Sequence, residues 1–292
     1  MTKPRTFRHT LLSTVLLTAL AAGCGGDKPE SLIASGKDFL AKNDNKAATI
    51  QFKNALQQNP NLGEARFLLG KALLDSGDMA GAEIELRKAL ELKDPTDQAA
   101  PPLARALLGT RQAKKVTDEF ASLELPTGEP AASLKTTLSQ AYLAQGNSEA
   151  SATALAAALA AQPDYAPALL ASARKRAANK DISGALTVVD GILSKTPDNH
   201  ETLLFKGSLL AAQGDQSAAL DFYHKAVNAR PDFLLAHSAI IGSLLQQGKL
   251  DDAAKQVDTL KKIAPKHPQT VFLETQLAYQ RKDYNTAREL SQ

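Results

Sequence analysis

The 292-residue chain has no tryptophan, one cysteine, two methionines and only 5% aromatic residues. A single thiol excludes a disulfide framework and any zinc site built on several thiolates. So few aromatics, set against abundant alanine, argue for closely packed helices and against a β-sandwich. A membrane-spanning run is missing too. The apolar stretch Leu11–Ala22 has 12 residues, where a helix crossing a bilayer needs about 20. Nor is there an excess of one charge over the body of the chain. Lys+Arg number 34 and Asp+Glu 31, and Lys3, Arg5 and Arg8 account for the whole difference. Nucleic-acid binding driven by counterion release calls for a basic domain, so no nucleic-acid partner is expected. What remains is 43% apolar, enough to bury a core and to exclude wholesale disorder.

Residues 1–10 (MTKPRTFRHT) are basic, the apolar stretch follows, and small residues come next. That order is a secretory signal. Leu20-Ala21-Ala22-Gly23-Cys24, followed by Gly25-Gly26-Asp27, resembles a bacterial lipobox. The resemblance implies that 1–23 is a lipoprotein signal peptide and that the Cys24 thiol is diacylated. Cleavage then makes Cys24 the mature N-terminus, with 24–28 as a tether. Three acyl chains would hold the protein to a membrane far more firmly than one. Gly25, where an Asp would favour inner-membrane retention, points to the periplasmic face of the outer membrane of a Gram-negative bacterium. The other reading is an ordinary signal peptide with an incidental cysteine.

From residue 29 onward the chain repeats. Pro163, Pro197, Pro231 and Pro265 follow similar helix ends at intervals of 34 residues, and Pro60 ends an earlier helix in the same way. Turn signals keep the same time: Asn43-Asp44, Gly77-Asp78, Arg111, Gly146-Asn147, Lys180-Asp181, Gly214-Asp215, Gly248-Lys249 and Lys282-Asp283. Both series give repeats starting near 29, 63, 97, 132, 166, 200 and 234, with a truncated one from 268 to 292. Each holds two helical patterns. In the first, Leu32, Gly36 and Phe39 mark helix A and Ala48, Phe52 and Ala55 mark helix B; in the sixth, Gly207 and Tyr223 hold the places of Gly36 and Phe52. This spacing of small and large residues resembles the tetratricopeptide repeat (TPR), in which small residues let the helices of a pair approach closely. The resemblance implies an all-α fold, a right-handed α-solenoid of stacked helix hairpins. The third repeat is the weakest: Val116 stands where a small residue is usual, Pro101-Pro102 is expected to open its first helix, and LELPTGEP reads as an irregular loop. A local defect in the stack, not a domain boundary, is expected there.

In the TPR family helix A lines the concave face, and the second, fifth, ninth, twelfth and thirteenth positions meet the ligand. By that resemblance the ninth positions are Lys37, Lys71, Arg105, Gln140, Arg174, Ser208, Gly242 and Gln276. Four of the first five are basic. Stacked as a ladder they could grip an acidic partner, a peptide carboxylate or a uronic-acid polymer, or be solvated charges on a helical face. Glu30, Glu64 and Asp75 share the face and dilute its potential. Towards the C-terminus the same face carries Leu204, Leu235, Leu245, Phe272 and Tyr279, either an apolar stretch for protein or peptide clients or a seam covered by further repeats.

Catalytic constellations are absent. His9, His200, His224, His237 and His267 include no pair at the i, i+4 spacing of a helical zinc site. Gly25-Gly26 follows no strand and leads to no Gly-Lys-Ser/Thr, so it is no phosphate loop. No catalytic residue, metal or cofactor is expected, and no enzyme. The run from Ile50 to Leu92, the lipobox with GGDKPESLIASGKDFLAKNDNKAATI after it, and PLARALLGTRQAKKVTDEFASLELPTGE resemble the PEP-CTERM system TPR-repeat lipoproteins. Members of that family are longer, so the chain reads as an N-terminal fragment. The resemblance implies a scaffold lipoprotein in bacteria that combine exosortase-type protein sorting with exopolysaccharide production. Two alternatives are a scaffold of an exopolysaccharide export machine and an assembly lipoprotein for outer-membrane barrels or pili.

Overall fold

The computed structural model describes residues 28–92 and 96–292; the leader and Cys24 lie outside the described residues. All regular elements are α-helices, and no strand occurs among the described residues. They run as eight successive pairs. The first four pairs are α1 (Pro29–Ala41) with α2 (Asn45–Gln58), α3 (Gly63–Asp75) with α4 (Met79–Glu91), α5 (Thr96–Gly109) with α6 (Ala113–Phe120), and α7 (Glu129–Ala144) with α8 (Ser148–Ala161). The remaining pairs are α9 (Ala166–Ala178) with α10 (Ile182–Lys195), α11 (His200–Ala212) with α12 (Gln216–Ala229), α13 (Leu234–Gln246) with α14 (Leu250–Ile263), and α15 (Pro268–Gln280) with α16 (Tyr284–Leu290). The first member of each pair is called A and the second B. The chain divides into two compact units, an N-terminal one to Ala106 and a C-terminal one from Leu107. Helices pack on their successors from α1 to α4 in the first and from α6 to α16 in the second, so α2, α8, α10, α12 and α14 each lie between two A helices.

The hairpins close through one contact type. Gly36 of α1 faces Phe52 of α2, and a Cβ on it would collide with that ring. A Cβ on Gly70 would stand 2.6 Å from Leu86 Cγ, and one on Gly207 would stand 2.5 Å from Tyr223 Cε1. At the same two positions, 16 residues apart, other pairs hold Ser139 with Leu155, Ala173 with Val189, and Ile241 with Val257. The largest residue on B, Phe52 or Tyr223, always faces glycine, and valine suffices opposite the buried Ile241. Ser139 adds a polar variant, its hydroxyl donating to the Ser151 carbonyl at 2.8 Å across the same joint. Close packing of this kind tolerates little change in total volume.

The turn inside each pair places one residue in the left-handed region. Gly77, Gly146, Gly214 and Gly248 hold it in four pairs, and Asn43, Arg111, Lys180 and Lys282 hold it in the other four, at φ of 57 to 66°. The next residue caps helix B. Asp44, Asp78, Asn147, Asp181, Asp215 and Asp283 each accept a hydrogen bond from the backbone N–H three residues on, at 2.9–3.2 Å. Gln112 and Lys249 occupy the same place without such a bond.

The third pair departs from the expectation. Pro101 and Pro102 do not open α5 but lie inside it, since the helix begins at Thr96. Two interior prolines remove two helical hydrogen bonds and crowd the preceding turn. Burial offsets that cost: Ala99, Ala100, Leu103, Ala104 and Leu107 have no exposed surface. Helix α6 has only 8 residues against 13 in α4 and 14 in α2; of the expected LELPTGEP loop, residues 123–128 are irregular, whereas Glu129 and Pro130 already open α7, where proline is tolerated in the first turn. Val116 is fully buried in that short helix. The division between the two units falls in this repeat, where a defect and no boundary was expected. In the C-terminal unit an open cleft of about 450 Å³ lies beside the end of α6, between Ala121, Lys135 and Tyr142 on one side and Ala150, Ala154 and Ala157 of α8 on the other.

Successive pairs are joined by side chains that reach back to the loop. Arg66 donates from Nε and Nη2 to the Pro60 carbonyl at 3.1 Å. His237, at the equivalent place five repeats later, has Nε2 2.9 Å from the Pro231 carbonyl. His200 opens α11 and packs edge-on against Phe233, with ring centroids 4.7 Å apart, while its Nε2 lies 3.4 Å from Arg230 Nη1. Burial first, and then the Arg230 charge, hold the His200 imidazolium pKa below its ordinary value, against the weaker pull of Glu201 and Asp232.

The caps, the left-handed turn residues and this histidine each give a prediction. Lys249→Asn supplies the missing cap of α14 and should raise the unfolding free energy by about 1 kcal/mol in urea titration. Lys180→Gly relieves the left-handed position and should add about 0.5–1 kcal/mol. A folded-state pKa depressed below the unfolded value means stability is complete above the unfolded value, about 6.5, and is lost as the pH falls through the folded one. Thermal midpoints from pH 7.5 down to 5.5 should therefore fall more steeply for the wild type than for His200→Gln. Parallel curves would remove His200 from the account.

Candidate interaction faces of the A helices

An A helix such as α3, α9, α11 or α13 buries one side against its own B helix and the preceding one. The residues left over form the exposed faces, which are described for each unit in turn. In the N-terminal unit, Lys37 of α1 reaches Glu64 of α3, with Nζ 2.6 Å from Oε1, and both side chains are about half exposed. An ion pair so open to solvent adds little stability, but it cancels the charge that Lys37 would offer a ligand. Lys71 of α3 lies over the ring of Phe67, one turn earlier, at 5.6 Å from its centroid. Arg105 of α5 is exposed.

In the C-terminal unit, Arg174 of α9 is exposed and stands 5.7 Å from the ring centroid of Phe205 on α11. Of the groove cations, Lys71 and Arg174 thus each rest on an aromatic face, which orients the charge and leaves an apolar surface beside it. Beyond Arg174 the ninth positions become small, Ser208 and Gly242, and a Cβ on Gly242 would meet nothing within 4 Å. Around them stand Leu235 of α13, 61% exposed, and Phe272 and Tyr279 of α15, 55% and 65% exposed. Tyr279 also packs edge-on against Tyr284 of α16 at 5.5 Å. Exposed side chains of this size on successive A helices can shed water against an apolar partner.

Two residues expected on this face belong elsewhere. Leu245 is buried, and Leu204 packs half-buried against the same core cluster of α12–α15. Side chains of α12, α13, α14 and α15 close that cluster around the twelfth position of α13 and turn it into core. Leu143, the twelfth-position residue of the fourth repeat, is 61% exposed and was not anticipated as a contact residue. Register alone does not separate it from Leu245. No group of three His, Cys, Asp or Glu side chains placed to hold a metal ion occurs among the described residues. No described helix is long and apolar enough to cross a membrane.

Two family models, both described as tetratricopeptide repeat, match the chain. One matches residues 33–102, 136–200 and 166–232, and the other matches 210–277. No curated protein matches the sequence. Among solved structures, a tetratricopeptide repeat protein from Parabacteroides merdae ATCC 43184 is similar at a TM-score of 0.59 and 16% identity, over 88% of this chain and all of that one. Yeast Tom70 is similar at 0.59 and 15% identity, over 93% of this chain and 61% of that one. PilW, a type IV pilus biogenesis factor, is similar at 0.51 and 18% identity, over 70% of this chain and 94% of that one. At such identities these likenesses speak to the fold. Repeat spacing, small-to-large helix joints and family matches over most of its length agree: the chain belongs to the tetratricopeptide repeat family, whose stacked hairpins serve as scaffolds for protein–protein interaction.

Proposed function

We propose that the protein is a non-catalytic scaffold lipoprotein of the bacterial periplasm, held at the outer membrane through acylated Cys24, that carries protein clients on the A-helix face of its C-terminal unit. The observation that carries the reading is the exposure of Leu235, Phe272 and Tyr279 on successive A helices beside the small residues Ser208 and Gly242. A polypeptide in extended or helical form would bury these side chains and leave its own polar groups to Gln276 and Ser238, which share the face. The resemblance of the leader and opening repeats to PEP-CTERM system lipoproteins supports a place in exosortase-type protein sorting alongside exopolysaccharide production.

An acidic exopolysaccharide is the weaker partner. The ladder that would hold it has lost Lys37 to Glu64, and Lys71 and Arg105 belong to a different compact unit from Arg174. A role in pilus assembly draws on the fold likeness to PilW alone. The proposal is tested by placing a photocrosslinking amino acid at Leu235 or Phe272 in the native envelope, with His224 on the outer side of α12 as control. Adducts to polypeptide are expected at 235 and 272, several-fold above those at 224. Equal yields at the three positions, or adducts to carbohydrate alone, would overturn it.

A further inference from the structure

A second apolar feature lies away from the A-helix faces. Ile50 of α2 and Ile84 of α4 are 57% and 56% exposed. They stand 34 residues apart and are each the sixth residue of a B helix. The repeat therefore turns both towards the same side of the N-terminal unit. Basic residues frame them at helical spacing. Lys46 and Lys53 lie one turn before and after Ile50, and Lys88 lies one turn after Ile84. All three are exposed, and none forms an ion pair with a described residue. The nearby carboxylates are largely engaged: Asp44 caps α2, Glu83 is paired with Arg87 at 3.3 Å, and Glu85 is paired with Arg66. Asp78 caps α4 in the same way, and Glu91 stands exposed at the far end of that helix.

We infer that this side of α2 and α4 rests on an anionic lipid surface, with Ile50 and Ile84 at headgroup level and the three lysines on the phosphates. Aliphatic side chains ringed by lysine are the composition that binds the interface of an anionic bilayer. Tether length argues for the same partner. Between Cys24 and Pro29 the chain can span at most about 17 Å, less than the length of helix α2. An acylated Cys24 would therefore hold the N-terminal unit against the bilayer, and one of its sides must face lipid. This inference rests on the proposed anchor. It concerns the B helices, and so leaves the A-helix faces open to clients.

The test uses the full chain, expressed with its leader in a Gram-negative host and reconstituted into phosphatidylethanolamine–phosphatidylglycerol vesicles or into phosphatidylcholine vesicles. Single cysteines at Ile50, Ile84 or His224 carry a spin label, whose collisions with oxygen and with a water-soluble nickel chelate are compared. The oxygen-to-nickel ratio at 50 and 84 should exceed that at 224 at least fivefold with phosphatidylglycerol, and should drop without it. Ratios equal at all three positions would overturn the inference while leaving the anchor intact. A mature mass lacking acyl chains would instead sink the anchor. In that case the unlabelled chain must still sediment with phosphatidylglycerol vesicles at least tenfold more than Ile50→Glu/Ile84→Glu, and equal sedimentation overturns the lipid contact as well.

Discussion

The close approach of the two helices in each pair is the constraint on which the rest depends. It requires that the volume at one A-helix position and the volume 16 residues later on helix B be set together. Glycine on α1, α3 and α11 admits Phe52, Leu86 and Tyr223, and isoleucine on α13 is met by valine on α14. With that joint filled, the A helix has spent one side on its hairpin. A second side goes to the neighbouring pair, and what remains is the interaction face. A stack of this sort buries core only between neighbours, so the exposed residues of each repeat change identity with little consequence for its fold. That freedom lets the A helices carry Lys71 and Arg105 in the N-terminal unit and Leu235 and Phe272 in the C-terminal one.

Much of the architecture was legible because it is periodic. The prolines after helix B and the Gly–Asp or Lys–Asp turns recur on one interval, and each has a local physical meaning. The turn residue takes a left-handed conformation and the following Asp or Asn caps the next helix. These are short-range rules, and the structure obeys them even where lysine replaces glycine at a conformational cost. Proline at 101 and 102 was misread for the opposite reason. The local rule says that a helix starts there, but six fully buried residues between 99 and 107 hold the helix through it. Burial over a whole face outweighed two lost hydrogen bonds, a balance that no short window of sequence displays.

The interaction faces were legible in register but not in detail. The twelfth position of an A helix is core in α13, as Leu245, and solvent-facing in α7, as Leu143. What decides is tertiary: Leu245 is enclosed by the core cluster of α12 to α15. Likewise Glu64 was foreseen as diluting the basic ladder, yet only the geometry shows it reaching Lys37 itself. The exposed isoleucines on α2 and α4 went unnoticed because each, taken alone, is an ordinary surface residue. Their shared place in consecutive repeats, and the lysines around them, give the pair its meaning. Together the two surfaces suggest a division of labour, with B helices of one unit towards lipid and A helices of the other towards protein.

The sharing of space across the hairpin joint is tested most directly by a double-mutant cycle at Gly36 and Phe52, where the ring atoms are what a new Cβ would meet first, read by urea unfolding. Gly36→Ala should destabilise by overpacking and Phe52→Val by loss of buried ring, each by about 1–3 kcal/mol. Because truncating the ring makes room for the new methyl group, the double variant should lose less than the sum by about 1 kcal/mol or more. Losses that add to within about 0.5 kcal/mol would show that the two positions do not share one space, and the account of the fold would fail at its first step.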